Sequence, residues 1–172
     1  QRMLREGLRQ VLPRPTVFKA VFRAGQALRP VLPERLAAKM PRAIAPAGER
    51  PAPRHARRML ILEGCVQPSL SPNTNAAAMR VLDRLGISVQ AVSEAGCCGA
   101  VDYHLDAQQA GLERARRNID AWWPQLSAGA EAIIQTASGC GAFVKEYGYM
   151  LRDDPVYAEK AQQVSEKALD LF

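Results

Sequence analysis

Met59-Leu60-Ile61-Leu62 is an uninterrupted apolar run, and Glu63-Gly64-Cys65 follows it directly. A short run without alternation is typical of a strand that is covered on both faces. Ser71-Pro72 then predicts the start of a helix, because serine is a favoured N-cap and proline is tolerated at the first helical position. Gly86 is where we expect this helix to stop. A strand followed by a helix is therefore the first unit of the fold.

Two further units of the same kind follow along the chain. The second strand is predicted over residues 87–92 and the third over residues 132–136, and each precedes a helical pattern. The order β-α-β-α-β-α predicts an α/β fold with a small parallel sheet and helices on both faces. Because three strands are few for an independent sheet, we expect at least one more strand beyond Phe172 or in a partner.

Capping residues predict where the later helices begin and end. Asp106 is predicted as an N-cap, with Gln109 as its capping-box partner, and this helix is expected to loosen at Pro124. Ser138 leads into the next helix, and Asp154 is predicted to start the last one.

The four cysteines all follow predicted strands. Cys65 comes after the first, Cys97 and Cys98 after the second, and Cys140 after the third. The carboxyl ends of parallel strands form one edge, where open α/β sheets bind their ligands. We therefore expect the four thiols to lie close together, although they come from three distant segments.

Three kinds of chemistry are open to such a group of thiols. A disulfide is disfavoured in a reducing compartment, and between the neighbours Cys97 and Cys98 also by geometry. Thiolates are soft ligands that suit iron–sulfur clusters and zinc, although the paired Cys spacing of zinc sites is absent. A nucleophilic thiol is the third possibility, with Cys140 on a strand-to-helix turn and His55 or His104 as the base.

The first 58 residues differ in composition from the rest. They contain 14 Lys and Arg against three acidic residues, together with 8 of the 12 prolines, whereas residues 59–172 contain 9 Lys and Arg against 14 acidic residues. Apolar spacing predicts short helices before Pro13 and Pro30, a further turn or two after Pro33, and a linker over residues 41–58. We predict a Pro- and Arg-rich, basic helical arm and linker over 1–58 and a cysteine-rich α/β domain over 59–172, incomplete at its C-terminus.

Several functions are disfavoured by this composition. Transit peptides are rich in serine, and residues 1–58 contain none. The arm lacks the interleaved aromatic residues of a nucleic-acid binder, so we expect no nucleic-acid partner. No run approaches the roughly 20 apolar residues that a membrane-spanning helix needs.

Four stretches of the sequence resemble one protein family, and their length makes the resemblance more specific than a single short motif would be. They are residues 62–65, residues 71–75, residues 94–104 with Gly96-Cys97-Cys98-Gly99, and residues 136–147 with Ser138-Gly139-Cys140-Gly141. They resemble the CCG cysteine-rich domain of heterodisulfide-reductase-like proteins and, more closely, the iron–sulfur subunits of bacterial glycolate oxidases. The resemblance covers essentially the whole chain, including the arm. It implies the connecting arm and first cysteine-rich repeat of a longer subunit.

The resemblance also implies a function. Such a subunit passes electrons from flavin-containing glycolate oxidase subunits, which hold the FAD, toward an acceptor of the respiratory chain. Cys65, Cys97, Cys98 and Cys140 would then be the ligands of a [4Fe–4S] cluster, whose usual complement is four cysteines. We expect a cytoplasmic protein that is not catalytic on its own, with peripheral attachment to the inner membrane left open. A cluster-free module that docks a flavoprotein, and a Cys140 thiol enzyme, are the alternatives.

One departure from the reductase pattern concerns Ala137, which stands where those proteins have a further cysteine. The remaining polar and aromatic candidates have structural interpretations. Asp102 and His104 are either turn residues or hydrogen-bond partners of the cluster ligands. Trp122 and Trp123 are predicted to pack on the sheet. The solvated face of one helix is predicted to contain Arg114, Arg116 and Arg117.

Overall fold

The computed structural model describes residues 2–171. Its N-terminal part is helical: α1 (Arg2–Val11), α2 (Pro15–Ala27), a 3-10 turn (Arg29–Val31) and α3 (Glu34–Ala37). The short arm helices predicted before Pro13, before Pro30 and after Pro33 are thus present. The chain then runs without helix or strand to residue 57. Among residues 2–171, no helix combines the length and the apolarity needed to cross a membrane.

The remaining elements alternate between strands and helices. They are β1 (Arg57–Ile61), α4 (Gln67–Leu70), α5 (Pro72–Arg84), β2 (Ile87–Ala91), α6 (Ala100–His104), α7 (Gln108–Ser127), β3 (Ile133–Gln135), α8 (Ser138–Lys145), α9 (Tyr147–Met150), α10 (Ala158–Glu166) and β4 (Ala168–Asp170). Within residues 2–171 the four strands form one sheet of order β2-β1-β3-β4, and every pair is parallel. After β1 the chain adds β2 on one side of it, and then crosses over to add β3 on the other side. The carboxyl ends of β1 and β3 therefore flank a topological switch point, the usual ligand position in such sheets.

Alternation along the strands sends side chains into two apolar layers. Ile61 and Ile134 pack with Met79 of α5 on one face. On the other face, Leu60 and Ile133 join a larger cluster that includes residues of α7, α8 and α10. The prediction of an α/β fold with a parallel sheet and helices on both faces is confirmed.

The position predicted for the additional strand is wrong. The fourth strand is β4, inside the chain, whereas it was expected beyond Phe172, a residue outside the described range, or in a partner. Ala168-Leu169-Asp170 has only one buried residue, so it lacks the apolar run that reveals the other strands. Its pairing with β3 instead depends on backbone hydrogen bonds, from Ile133 N–H to Lys167 O and from Leu171 N–H to Gln135 O.

Three predicted helix boundaries are also wrong. Asp106 has φ 67° and lies outside α7, because the preceding residues form the separate helix α6 and its carboxylate accepts a hydrogen bond from Arg5. Helix α7 continues past Pro124 to Ser127, since Leu126 is buried beneath it. Asp154 closes a turn by accepting hydrogen bonds from Val156 and Tyr157 N–H, and α10 begins only at Ala158.

Candidate metal centre

The cysteines lie at the carboxyl edge of the sheet. Cys65 follows β1, Cys97 and Cys98 follow β2, and Cys140 lies in the first turn of α8, which follows β3. All four are free thiols; the first three are buried and Cys140 is partly buried.

Each thiol interacts with at least one other. Hydrogen bonding to Cys97, together with burial, raises the pKa of Cys65 well above its usual range. Hydrogen bonds from Cys65 and Cys98 lower the pKa of Cys97 to about 3. Hydrogen bonding to Cys140 raises the pKa of Cys98, and the same contact lowers the pKa of Cys140. The contacts therefore run from Cys65 through Cys97 and Cys98 to Cys140, and the predicted convergence of three distant segments is present.

Backbone N–H groups also point at this sulfur cluster, by which we mean the thiols of Cys65, Cys97, Cys98 and Cys140. The N–H groups of Val66, Gly99 and Ala100 donate hydrogen bonds to Cys65, Cys97 and Cys98 in turn. Hydrogen bonds of this kind stabilise negative charge on sulfur and tune the potential of cluster sites. At Cys65 and Cys98 these N–H groups oppose the burial and thiol contacts that raise the pKa, and at Cys97 the N–H group adds to the contacts that lower it.

Gly99 makes the turn after the two adjacent cysteines possible. Its φ of 105° lies in the region that side chains disfavour, and a Cβ there would lie 2.5 Å from the carbonyl oxygen of Gly111 in α7. Near the other end of the sulfur cluster, a Cβ on Gly141 would collide with the carboxylate of Asp170. Glycine is required at position 99 because the backbone of α7 packs directly against it, whereas a side chain at position 141 would have to displace the Asp170 carboxylate.

Asn118 and Tyr147 fix the backbone of the adjacent cysteines. Asn118 is fully buried in α7; its Oδ1 accepts the N–H of Gly96 at 2.9 Å and its Nδ2 donates to the carbonyl of Cys97 at 3.1 Å. The Tyr147 hydroxyl donates to the carbonyl of Cys98 at 2.5 Å. This pair was not predicted from the sequence, although an asparagine beside Ile119 on the apolar face of a helix was a usable signal.

A second buried network joins the ends of β1 and β3. Asn75 Nδ2 donates to the carbonyl of Leu62 at 3.2 Å, and Gln67 Nε2 donates to Asn75 Oδ1 at 3.0 Å. Thr136 donates its hydroxyl hydrogen to Asn75 as well. These bonds connect the segments that carry Cys65 and Cys140 through α4 and α5. Sequence reasoning missed them too, since each of these residues is unremarkable alone.

Asp102 is a structural anchor. Its carboxylate is buried and forms ion pairs with Arg9 of α1, at 3.0 Å, and with Arg114 of α7. The prediction of a solvated arginine face on α7 is therefore wrong for Arg114, and also for Arg116, which lies 2.8 Å from Asp154. Asp102, which is buried, and Asp154, which is partly buried, provide the two carboxylates, and helical periodicity could not reveal these contacts.

The histidines are engaged elsewhere. His55 Nε2 lies 2.9 Å from Asp83 Oδ1, and the His104 ring packs edge-on against Tyr103 and Phe143. Within residues 2–171 no hydrogen bond joins a histidine to Cys140. Trp122 is fully buried, as its structural interpretation predicts, and the Trp123 ring lies 5.6 Å from Lys160 Nζ.

Four cysteine thiols are the donor set that iron–sulfur clusters use. Among residues 2–171, no three His, Cys, Asp or Glu side chains surround a point where one metal ion could bind. In a cluster each thiolate binds a different iron, so its ligands surround several atoms, and four cysteines are the usual complement of [4Fe–4S]. Gln135, buried at the end of β3, has neither amide atom hydrogen-bonded within the described residues. The thiols, the sulfur-directed N–H groups and this amide are compatible with a buried iron–sulfur centre.

Comparison with known proteins gives matches along the whole chain. The sequence model of the CCG family, described as a cysteine-rich domain, matches residues 59–145. The glycolate oxidase iron–sulfur subunit of Escherichia coli (strain K12) is 68% identical over 171 residues, which are 99% of this chain and 42% of that protein. No solved structure gave a significant match.

More distant relatives match a shorter part. The probable glycolate oxidase iron–sulfur subunit of Bacillus subtilis (strain 168) is 33% identical over 66% of this chain and 25% of its own length. Lactate utilization protein A of Bacillus pumilus (strain SAFR-032) is 28% identical over 62% of this chain and 43% of its own length. The chain spans less than half the length of each of these relatives.

Proposed function

The chain belongs to the CCG cysteine-rich domain family, and from this we propose that it is part of the iron–sulfur electron-transfer subunit of a glycolate oxidase. Its four cysteines would hold a [4Fe–4S] cluster. The observation that carries the proposal is the mutual contact of thiols from three segments at the carboxyl edge of the sheet. The similarity to the E. coli subunit supports the choice of glycolate oxidase.

The chain's own residues would act as ligands and supports. Cys65, Cys97, Cys98 and Cys140 would bind iron, and the bound cluster would supply one-electron transfer. Asn118 and Tyr147 would hold the backbone of the two adjacent ligands through their hydrogen bonds to the Cys97 and Cys98 carbonyls. Burial of these thiols excludes water, and Arg114 contributes positive charge near Cys97. Burial, net charge and hydrogen bonds to sulfur are the properties through which a protein sets a cluster's potential.

The proposed partners are flavin-containing subunits that oxidise glycolate and an electron acceptor of the respiratory chain. The name of the E. coli relative, an iron–sulfur subunit, supports a multi-subunit complex. We place the chain in the cytoplasm. Its arm, with 14 Lys and Arg in residues 1–58, suits peripheral contact with an anionic membrane surface.

Iron and sulfide analysis after anaerobic reconstitution tests the proposal. We expect brown protein with about four irons per chain, the content of one [4Fe–4S] cluster. Each single cysteine-to-serine variant should lose iron, whereas Ser138→Ala, a change beside Cys140 that removes no thiol, should retain it. Colourless wild-type protein with four titratable thiols would contradict the proposal.

A cluster-free docking module is the second candidate. The arm exposes large apolar side chains, among them Met3, Leu28 and Val31, which suit contact with another protein. This candidate predicts that the four cysteine-to-serine variants bind a flavoprotein subunit as well as the wild type does. The electron-transfer proposal differs because it requires iron in the bound chain.

A further inference from the structure

Gln135 is a buried polar side chain at the carboxyl end of a central strand. It is the last residue of β3, its side chain is 1% exposed, and neither Oε1 nor Nε2 has a hydrogen-bond partner within residues 2–171. A buried amide without partners is destabilising, and native proteins rarely keep one without a reason.

The strand register places Gln135 on the cysteine side of the sheet. Ile133 belongs to the apolar cluster that contains Cys98 and packs against Cys140, whereas Ile134 belongs to the cluster on the opposite face. Side chains two residues apart on a strand share a face, so Gln135 lies on the face of Ile133, one step nearer the carboxyl edge.

The residue beside Gln135 on the next strand also has a buried polar atom without a hydrogen-bond partner. Gln135 pairs in register with Asp170 of β4, whose Oδ1 is also buried without a partner. Asp170 packs against Gly141, and its charge acts to raise the pKa of Cys140, behind the stronger opposing hydrogen bond from Cys98. The unpartnered atoms therefore lie beside the Cys140 end of the sulfur cluster.

We propose that the Gln135 amide donates a hydrogen bond to a sulfur of the bound centre and thereby raises its reduction potential. This inference rests on the proposed function. An N–H donated to sulfur stabilises the more negative, reduced state, as do the N–H groups of Val66, Gly99 and Ala100 at the other three sites. Cys140 is the ligand for which no such backbone donor is seen in the described residues.

The competing explanation is a buried water shared by Gln135 and Asp170. The two explanations predict opposite effects on the cluster-free protein. If the amide has no hydrogen-bond partner until the cluster is bound, Gln135→Met removes an unsatisfied polar group and should leave the cluster-free protein equally or more stable. If a water satisfies it, the same variant loses hydrogen bonds and should be less stable.

The experiment compares Gln135→Met with Gln163→Met on α10, where Gln163 is partly exposed and donates to Glu159. Each protein is reconstituted anaerobically with iron and sulfide, and its midpoint potential is measured by a titration followed by absorbance and EPR. Cluster-free samples are unfolded with urea. We expect a negative potential shift with undiminished cluster-free stability for Gln135→Met, and neither change for Gln163→Met.

Three results would overturn the inference. They are an unchanged potential and EPR spectrum in loaded Gln135→Met, a cluster-free Gln135→Met that is less stable than wild type, and a shift of equal size in Gln163→Met. A wild-type chain that takes up no iron and sulfide would overturn the proposed function together with this inference. The first two results leave the proposed function standing, so the two failures are distinguishable.

Discussion

The arm and the sheet edge are held in place by different forces. Of residues 2–40, only Pro13 and Phe22 are buried, and ion pairs such as Arg9–Asp102 attach the arm to the rest of the chain. The cysteine segments are fixed by buried hydrogen bonds around Asn118 and Asn75, above a continuous apolar core. Buried polar networks are rigid when every member is satisfied, whereas partly exposed ion pairs are weak and depend on salt. The edge is thus built to hold ligands still, and the arm is attached more loosely.

The largest effect should come from Asn118→Ala. This change leaves the partly buried Gly96 N–H and the buried Cys97 carbonyl without their partner, so the free energy of unfolding should fall by roughly 3 kcal/mol, since each such group costs about 1–3 kcal/mol. Urea unfolding of the cluster-free chain measures it. Asn73→Ala, at an exposed asparagine on α5, is the matched control and should change stability by less than about 1 kcal/mol. Equal losses of stability in the two variants would contradict the account that buried hydrogen bonds at the sheet edge contribute more stability than exposed ones.

A smaller effect is expected for Arg9→Ala in the arm. Asp102 keeps its second partner Arg114, so the loss should be about 1 kcal/mol or less and should shrink further in high salt. Arg23→Ala on α2 is the control, because Arg23 is exposed and takes part in none of the ion pairs found within residues 2–171. Hydrogen exchange of α1 amides should increase in Arg9→Ala while that of α7 amides is unchanged. Faster exchange in α7 would show that arm and edge unfold together.

The smallest effect is expected for Asp83→Asn, which should change how stability depends on pH in acid. Asp83 binds the segment that leads into β1. Hydrogen bonding to Arg54, with a further bond from His55, holds the pKa of Asp83 below its usual value. Because the folded pKa is lower than the unfolded value of about 3.9, this carboxylate stabilises the fold above about pH 4 and loses that contribution as pH falls through the folded pKa. Asp83→Asn should flatten the stability profile below about pH 4. If the free energy of unfolding of Asp83→Asn falls with pH below about 4 as steeply as that of the wild type, other carboxylates cause the acid sensitivity.

Sequence could reveal the elements that carry an unbroken pattern. The apolar runs before Cys65 and Cys140 predicted β1 and β3, and strand ends at one edge predicted that the thiols meet. Strand β4 escaped because only one of its three residues, Ala168, is buried, so it carries no apolar run. The ion pairs of Asp102 and the hydrogen bonds of Asn118 could not be predicted from the sequence. They join residues many positions apart, and no periodicity encodes such contacts. The ligand role of the cysteines stays a prediction.

Iron K-edge X-ray absorption of the anaerobically reconstituted chain tests the shared thiol site most directly. We expect iron coordinated by sulfur, with other iron atoms as its next neighbours, and loss of that signal when any one of Cys65, Cys97, Cys98 or Cys140 is replaced by serine. Iron bound through oxygen or nitrogen, unaffected by the cysteine substitutions, would contradict a cluster held at the sheet edge.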